Sequence, residues 1–214
     1  FNEFIRKVSV DKRSLDSEIM KVVTDTIVTR LLNGLRERGV NGLQPVNLET
    51  AMNGDPDNFF MRSMKASTSG GFSWPGSKSK YCEHVDLDYN SNSIMPGEEL
   101  REQVAEIFAC YKRGEMAHPL LGCQLKDEPR KNGKMTRVFT MSPVCNTIVH
   151  RMMLMPFYSL MVEHSDLFGT SIGVNMHSYD VDHFCKGFTE FSDLFMEGDY
   201  GGYDTSMPPD ITVM

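Results

Sequence analysis

No stretch of the 214-residue chain approaches the ~18 consecutive apolar residues that a membrane-spanning helix needs. Cysteine is sparse and dispersed, at positions 82, 110, 123, 145 and 185 with no C-x-x-C pair. An odd, scattered set of this kind implies reduced thiols in a cytosolic compartment and argues against a disulfide framework. Positive charge is also short: 22 Lys+Arg stand against 29 Asp+Glu, giving a net charge of −7 and a pI near 5.4. That excludes a chain that is basic all over, though not one with a local basic groove. No internal repeat occurs. The first residues, Phe1-Asn2-Glu3-Phe4-Ile5-Arg6, are neither an initiator methionine nor a secretion signal. The last, Pro208 to Met214, read as a helix just begun, so the chain is expected to be a fragment.

What is present is ordinary globular composition, 40% hydrophobic, 24% charged and 10% aromatic, which excludes collagen-like, coiled-coil and wholly disordered chains. A chain of this length buries roughly 70% of its unfolded surface. The 16 methionines suit a core filled by flexible thioethers.

Apolar residues at helical spacing (Ile19, Val22, Val23, Ile27, Leu31, Leu32) predict a helix over about 15–35, started by Asp16 or Ser17 and ended by Gly34 or Gly39. Residues 47–54 predict a short helix closed by Asn53-Gly54. The Gly/Ser/Pro-rich stretch 67–80 must be loop. Pro96 to Arg113 predicts a second long helix, with Leu100, Val104, Ile107, Phe108 and Tyr111 on one face. The runs 120–125 and 137–141 flank Lys131-Asn132-Gly133-Lys134, a hairpin signal. Residues 145–164 predict a buried, Met-rich helix bent or interrupted at Pro156, and 180–188 a further amphipathic turn or two. Leu194-Phe195-Met196 reads as a strand leading into a glycine turn. The pattern as a whole is α+β.

Several candidate sites dissolve on inspection. Gly71 to Ser79 imitates a phosphate-binding loop, but Ser77 stands where lysine must directly follow glycine. Asp86-x-Asp88-x-Asn90 begins like a calcium loop, yet Ser91 replaces the required glycine and Gly97 the bidentate glutamate. His177, His183 and Cys185 lack zinc spacing.

Three segments keep chemical interest. In Gly198-Asp199-Tyr200-Gly201-Gly202-Tyr203-Asp204 an apolar run delivers Asp199 to a glycine turn, with Asp204 at the start of a helix favoured by Pro208 and Asp210. The pair suits a hard divalent cation or, equally, a turn aspartate and a helix-start aspartate. Lys126, Arg130, Lys131, Lys134 and Arg137 crowd the predicted hairpin, as a wall for polyphosphate or nucleic acid or as a solvated charged face paired with Asp127 and Glu128. Residues 66–76, with hydroxyls, glycines, Phe72 and Trp74, suit contact with a single strand or form a plain loop.

In order and spacing, T-S-x-G-aromatic-x-W, then L-K-D-E-x-R…K…T-R-V-F, then D-Y-x-G-Y-D-x-S resembles the RNA-dependent RNA polymerases of picornavirus-like positive-strand RNA viruses, as their motifs G, F and A. Phe168 to Asn175 resembles the family's G-x-N segment before motif A. The resemblance implies a right-hand polymerase, with fingers over 1–145 (motif G loop 66–76, motif F hairpin 124–141) and the beginning of the palm over 146–214 (motif A 197–208). It implies that Asp199 is the catalytic, metal-binding aspartate for Mg²⁺ or Mn²⁺ and that Asp204 senses the ribose 2′-hydroxyl. Lys126, Arg130 and Arg137 would then bind the incoming ribonucleoside triphosphate, with Glu128 a structural partner in the nucleotide channel that can hold an arginine in place. Thr68, Ser69 and Gly70 would touch template RNA. Implied partners are the RNA template and nascent strand and other viral replication proteins, at membrane-associated complexes in host cytoplasm. The pattern departs in three places: Met135 separates Lys134 from Thr136-Arg137, Ser73 stands at a usual proline, and no G-D-D or S-G…N follows motif A. One aspartate cannot hold two metals in register, so the fragment is expected to be inert alone. The alternative is a non-catalytic RNA- or nucleotide-binding module.

Overall fold

Small acceptor side chains placed just before apolar periodicity set the helix starts. The computed structural model describes residues 2–10, 14–87, 90–190 and 192–208; of Glu3, Phe4, Val8, Asn90, Ser91, Asp204 and Thr205 it describes the backbone only. In chain order the helices are α1 (Asn2–Val8), α2 (Ser17–Glu37), α3 (Leu48–Asn53), α4 (Glu98–Lys112), α5 (Val144–Glu163), α6 (Ser165–Phe168), α7 (Tyr179–Thr189) and α8 (Tyr203–Ser206). The strands are β1 (Gly54–Asp55), β2 (Asn58–Arg62), β3 (Cys82–Leu87), β4 (Asn90–Pro96), β5 (Gly122–Leu125) and β6 (Val138–Met141). The Asp16 carboxylate accepts the amides of Glu18 and Ile19 at the head of α2, and Asn47 accepts that of Thr50 at the head of α3. Of the two glycines that could end α2, Gly39 does so, at φ 81° after Arg38.

Among the described residues the strands pair as three separate antiparallel two-stranded sheets, β1–β2, β3–β4 and β5–β6. Two compact units result: residues 42–163, and residues 1–41 together with 164–214.

In the first unit, α3, α4 and α5 enclose a core of Ala51, Met52, Met64, Trp74, Leu100, Val104, Val144, Cys145, Ile148 and Val149. Asn53 ties α3 to β4 as a strand would, its amide nitrogen donating to the Ile94 carbonyl (2.9 Å) and its amide oxygen accepting the Ile94 N–H (2.8 Å). The Arg151 guanidinium, part-buried on α5, donates to the carbonyls of Ala51 and Arg62 and so fastens α5 to the end of α3 and to β2. Buried Asn146 accepts from the Tyr111 hydroxyl (3.1 Å) and donates to Ser142 (2.9 Å), which satisfies an otherwise costly amide.

Contrary to the expected interruption, α5 runs unbroken through Pro156. Proline has no N–H for the carbonyl four residues back. That carbonyl, on Met152, accepts the N–H of Val46 instead, at 2.8 Å. The expected strand at 194–196 is likewise absent. These residues are irregular, with Leu194 and Met196 fully solvated, because no described segment lies alongside to complete a ladder.

In the second unit, α2 meets α6 through the Arg38–Asp166 ion pair (2.6 Å) and through Gly34, where a methyl group would collide with Leu167. Apart from such contacts α2 buries none of its residues.

Candidate functional site

The basic hairpin forms from the two runs that flank the Asn132-Gly133 turn. Gly122 faces Met141 and Leu125 faces Val138, and a further bond from the Lys126 N–H to the Arg137 carbonyl (2.8 Å) continues the ladder past the strands. The turn closes where Lys134 N–H reaches the Lys131 carbonyl (3.0 Å) around Gly133, whose φ of 83° glycine adopts without strain. This places Lys126, Glu128, Arg130 and Arg137 together although they span twelve positions of sequence.

Glu128 is the hub. Arg137 donates to it from two nitrogens, with Nε at 2.7 Å from Oε1 and a terminal nitrogen on Oε2. Arg130 Nε lies 3.0 Å from Oε1 and Lys126 Nζ 3.4 Å from Oε2. The carboxylate is only 16% exposed, whereas Lys126 and Arg137 are about half exposed at 49% and 58%. The Arg137 hydrogen bonds, with Lys126 adding to them, hold the Glu128 carboxyl down to about 2 against the opposing effect of burial. The cluster can therefore present a positive surface to an anion while its one carboxylate stays ionised.

The 66–79 loop is braced rather than loose. Gly70 N–H donates to Gly76 O (2.8 Å), Lys78 N–H to Thr68 O (2.9 Å) and Ser79 N–H to Ala66 O (2.9 Å), while the Gly70 carbonyl accepts from Val144 at the head of α5 (2.7 Å). The Lys78 ammonium donates to the Thr68 hydroxyl, and Ser69 Oγ accepts the Gly71 N–H (3.2 Å). Of the two aromatics thought fit for strand contact, Trp74 is not available. It is 3% exposed, edge-on to Tyr81 with ring centres 4.7 Å apart, and serves as the loop's anchor in the core. Phe72 is exposed. Sequence reasoning passed over Lys78 and Arg151. Burial lowers the proton affinity of both, and Arg151 adds to the effect at Lys78. The available signal was a lone arginine at position 151 inside an apolar, Met-rich helix.

Asp199 and Asp204 belong to the other compact unit. Asp199 sits exposed in irregular chain before a turn at Gly201-Gly202, with Gly202 at φ 67° leading into α8. Asp204 lies in the backbone of α8; its side chain, and the helix expected from Pro208 onward beyond residue 208, lie outside the described residues. Asp88 of the rejected calcium loop lies outside them too. Among the described residues no three His, Cys, Asp or Glu side chains gather as a metal site. The exposed Asp199 carboxylate has the chemistry of one oxygen ligand for a hard cation.

Residues 39–214 match the sequence family described as viral RNA-dependent RNA polymerase. The chain is 24% identical over 218 residues to the replicase polyprotein of Drosophila C virus (strain EB), a match that covers 95% of this chain and 12% of that protein. It is 24% identical over 209 residues to the replicase polyprotein of acute bee paralysis virus (strain Rothamsted), covering 95% of this chain and 11% of that one. The chain thus spans about an eighth of these relatives. Among solved structures it resembles the Sicinivirus 3Dpol RNA-dependent RNA polymerase with a TM-score of 0.65 and 17% identity, over 94% of this chain and 39% of that one.

Proposed function

The chain belongs to the viral RNA-dependent RNA polymerase family, as a picornavirus-like member with the α+β fold of a partial fingers and palm, and from that premise we propose that it supplies the nucleotide-entry wall and the first catalytic carboxylate of an RNA-copying enzyme. The observation that carries this reading is the convergence of Lys126, Arg130 and Arg137 on Glu128 in one hairpin. Three cations gathered around a single carboxylate form a positive surface for the triphosphate of a ribonucleotide, with more charge than that one acceptor neutralises.

The division of labour follows from side-chain chemistry. Arg137 and Arg130 donate forked hydrogen bonds to phosphate oxygens, and Lys126 adds a mobile point charge. Thr68, Ser69 and Gly70, on the braced loop, meet the template backbone with hydroxyl and small-residue surface. Asp204 accepts a hydrogen bond from the ribose 2′-hydroxyl, and a deoxy substrate leaves that carboxylate unpaired. Asp199 would hold Mg²⁺ or Mn²⁺ through a carboxylate oxygen, and the ion, when bound, would supply Lewis-acid stabilisation of charge on the reacting phosphate. Fingers over 1–145 and palm over 146–214 are part of the same proposal, as is work alongside other viral replication proteins at membrane-associated complexes in host cytoplasm. No described helix is long and apolar enough to cross a membrane.

We propose further that the 214-residue chain by itself binds nucleotide or RNA without joining nucleotides, because one metal-site aspartate cannot hold two ions in register. The test uses the polymerase region of the replicase that contains this chain. Asp199→Ala is expected to abolish templated ribonucleotide incorporation while leaving RNA affinity within about twofold, because one carboxylate ligand contributes to reaction and little to phosphate-backbone binding. Normal incorporation by the variant would remove Asp199 from the metal site.

A further inference from the structure

Resting on the nucleotide-channel reading, we propose that Glu128 is an exchangeable counter-ion: it competes with polyphosphate for Lys126 and Arg130, lowering affinity for triphosphate and easing the departure of pyrophosphate, while Arg137 remains its anchor. Three features of the cluster carry this.

The first is stoichiometry. Lys126, Arg130 and Arg137 set three positive charges against a single carboxylate, so the cluster keeps a surplus of positive charge and draws polyanions even when Glu128 is ionised. The second is the inequality of the contacts. Arg137 grips both carboxylate oxygens through two nitrogens. Arg130 meets the carboxylate through Nε at 3.0 Å, and Lys126 only at 3.4 Å, the longest of the set. The looser two cost least to detach, and Lys126, half exposed on a flexible stem, has the freedom to swing toward a new anion. The third is placement. The Glu128 side chain is 16% exposed and Arg130 26%, while Lys126 and Arg137 stand further out at 49% and 58%. An arriving phosphate therefore meets the cations first and shares them with a resident anion that cannot leave the site.

Such an arrangement trades affinity for turnover. A polyphosphate bound by three unopposed cations leaves slowly. One that must compete with a covalently tethered carboxylate for two of them dissociates faster, because recapture of the cations by Glu128 offsets part of the bond breaking. A carboxylate that merely positions Arg137 gives the opposite expectation: its removal would disorder the guanidinium and weaken anion binding. The sign of the effect therefore separates the two roles.

The experiment measures binding of inorganic tripolyphosphate and pyrophosphate to the 214-residue chain by titration calorimetry, without added metal, for the wild type, Glu128→Gln and Arg137→Ala. Glutamine keeps the shape and one acceptor oxygen and removes the charge. The expected result is a roughly three- to tenfold tighter Kd for both anions in Glu128→Gln, with a steeper loss of affinity on adding salt. Unchanged or weaker binding in Glu128→Gln overturns the counter-ion role. If the wild type binds neither anion, or Arg137→Ala binds them as tightly as wild type, the nucleotide-channel reading fails and the inference falls with it. A second measurement needs no variant. In wild-type chain labelled at glutamate Cδ, saturating tripolyphosphate is expected to shift the Glu128 carboxylate carbon as Lys126 and Arg130 leave it. An unmoved signal overturns the exchange.

Discussion

At the scale of single residues, the carboxylates divide by how their surroundings hold their charge. Glu128, ringed by cations, has its carboxyl held at about 2 instead of the ordinary 4.5. A group held more acidic in the folded chain than in the unfolded one stabilises the fold above its unfolded value and loses that contribution as pH falls through the folded value. The stability that the hairpin ion network contributes is therefore expected to be complete well above pH 4.5, to fall steadily below it and to be lost as pH drops through about 2, where Glu128 itself takes up its proton. The Glu128 carboxyl carbon, followed by NMR through an acid titration, reports this directly; a midpoint near 4.5 would mean that the three cations do not hold it. Asp204 makes a different kind of prediction, because its proposed role is selection and not attraction. In the complete polymerase region, Asp204→Asn is expected to reduce the preference for ribonucleotides over deoxyribonucleotides by roughly ten- to hundredfold, the worth of one buried hydrogen bond to a charged acceptor. Competition between the two triphosphates in a primer-extension assay measures it, and an unaltered ratio would take Asp204 out of sugar recognition.

At the scale of elements, what the sequence disclosed and what it hid have separate physical causes. α2, α3 and α4 were legible because their starts and apolar periodicity are local, and Asp16 and Asn47 act within three residues. The β5–β6 hairpin was legible because Asn132-Gly133 specifies its turn. β3–β4 was not: its register joins Glu83 to Met95 and His84 to Ile94, but its alternation is weak and its stability comes partly from Asn53, far away in sequence. Continuity of α5 through Pro156 was invisible for the same reason, since it depends on a bond from Val46. Of the candidate site, the clustering of the hairpin charges could be read; their common partner geometry, and the loss of Trp74 to the core, could not. The loop 66–79 illustrates how such distant support is tested. Gly71 has φ 96°, and a methyl group there would lie 2.7 Å from Pro143 Cα and 2.9 Å from the Ser142 carbonyl oxygen, against backbone that cannot give way. Gly71→Ala is expected to destabilise the 42–163 unit by about 2 kcal/mol, combining left-handed strain with a steric clash. Chemical denaturation measures this, and an unchanged midpoint would show that the loop is free of α5.

At the scale of the whole molecule, burial is unevenly shared. The residues below 2% exposure that define the packed interior, among them Met52, Leu100, Val144, Ile148 and Val149, all lie in the 42–163 unit. Of the other unit, α2 has 21 residues and buries none, with Ile19 at 62% and Val22 at 65% exposure. Secondary structure alone does not protect a helix of this length, because in water most helical stability comes from packing one face. Amide exchange should therefore separate the units although both are helical. The slowest amides are expected in α4 and α5, around Leu100, Val104, Ile148 and Val149, where opening exposes the shared core and requires near-global unfolding. The amides of α2 are expected to exchange at least about a hundredfold faster, through local fraying that costs roughly 3 kcal/mol less. Mass-spectrometric exchange on the 214-residue chain resolves these segments. Equal protection in α2 would mean that its apolar stripe is covered in solution, and the unit containing Asp199 would then be held by packing as firm as that behind the basic hairpin.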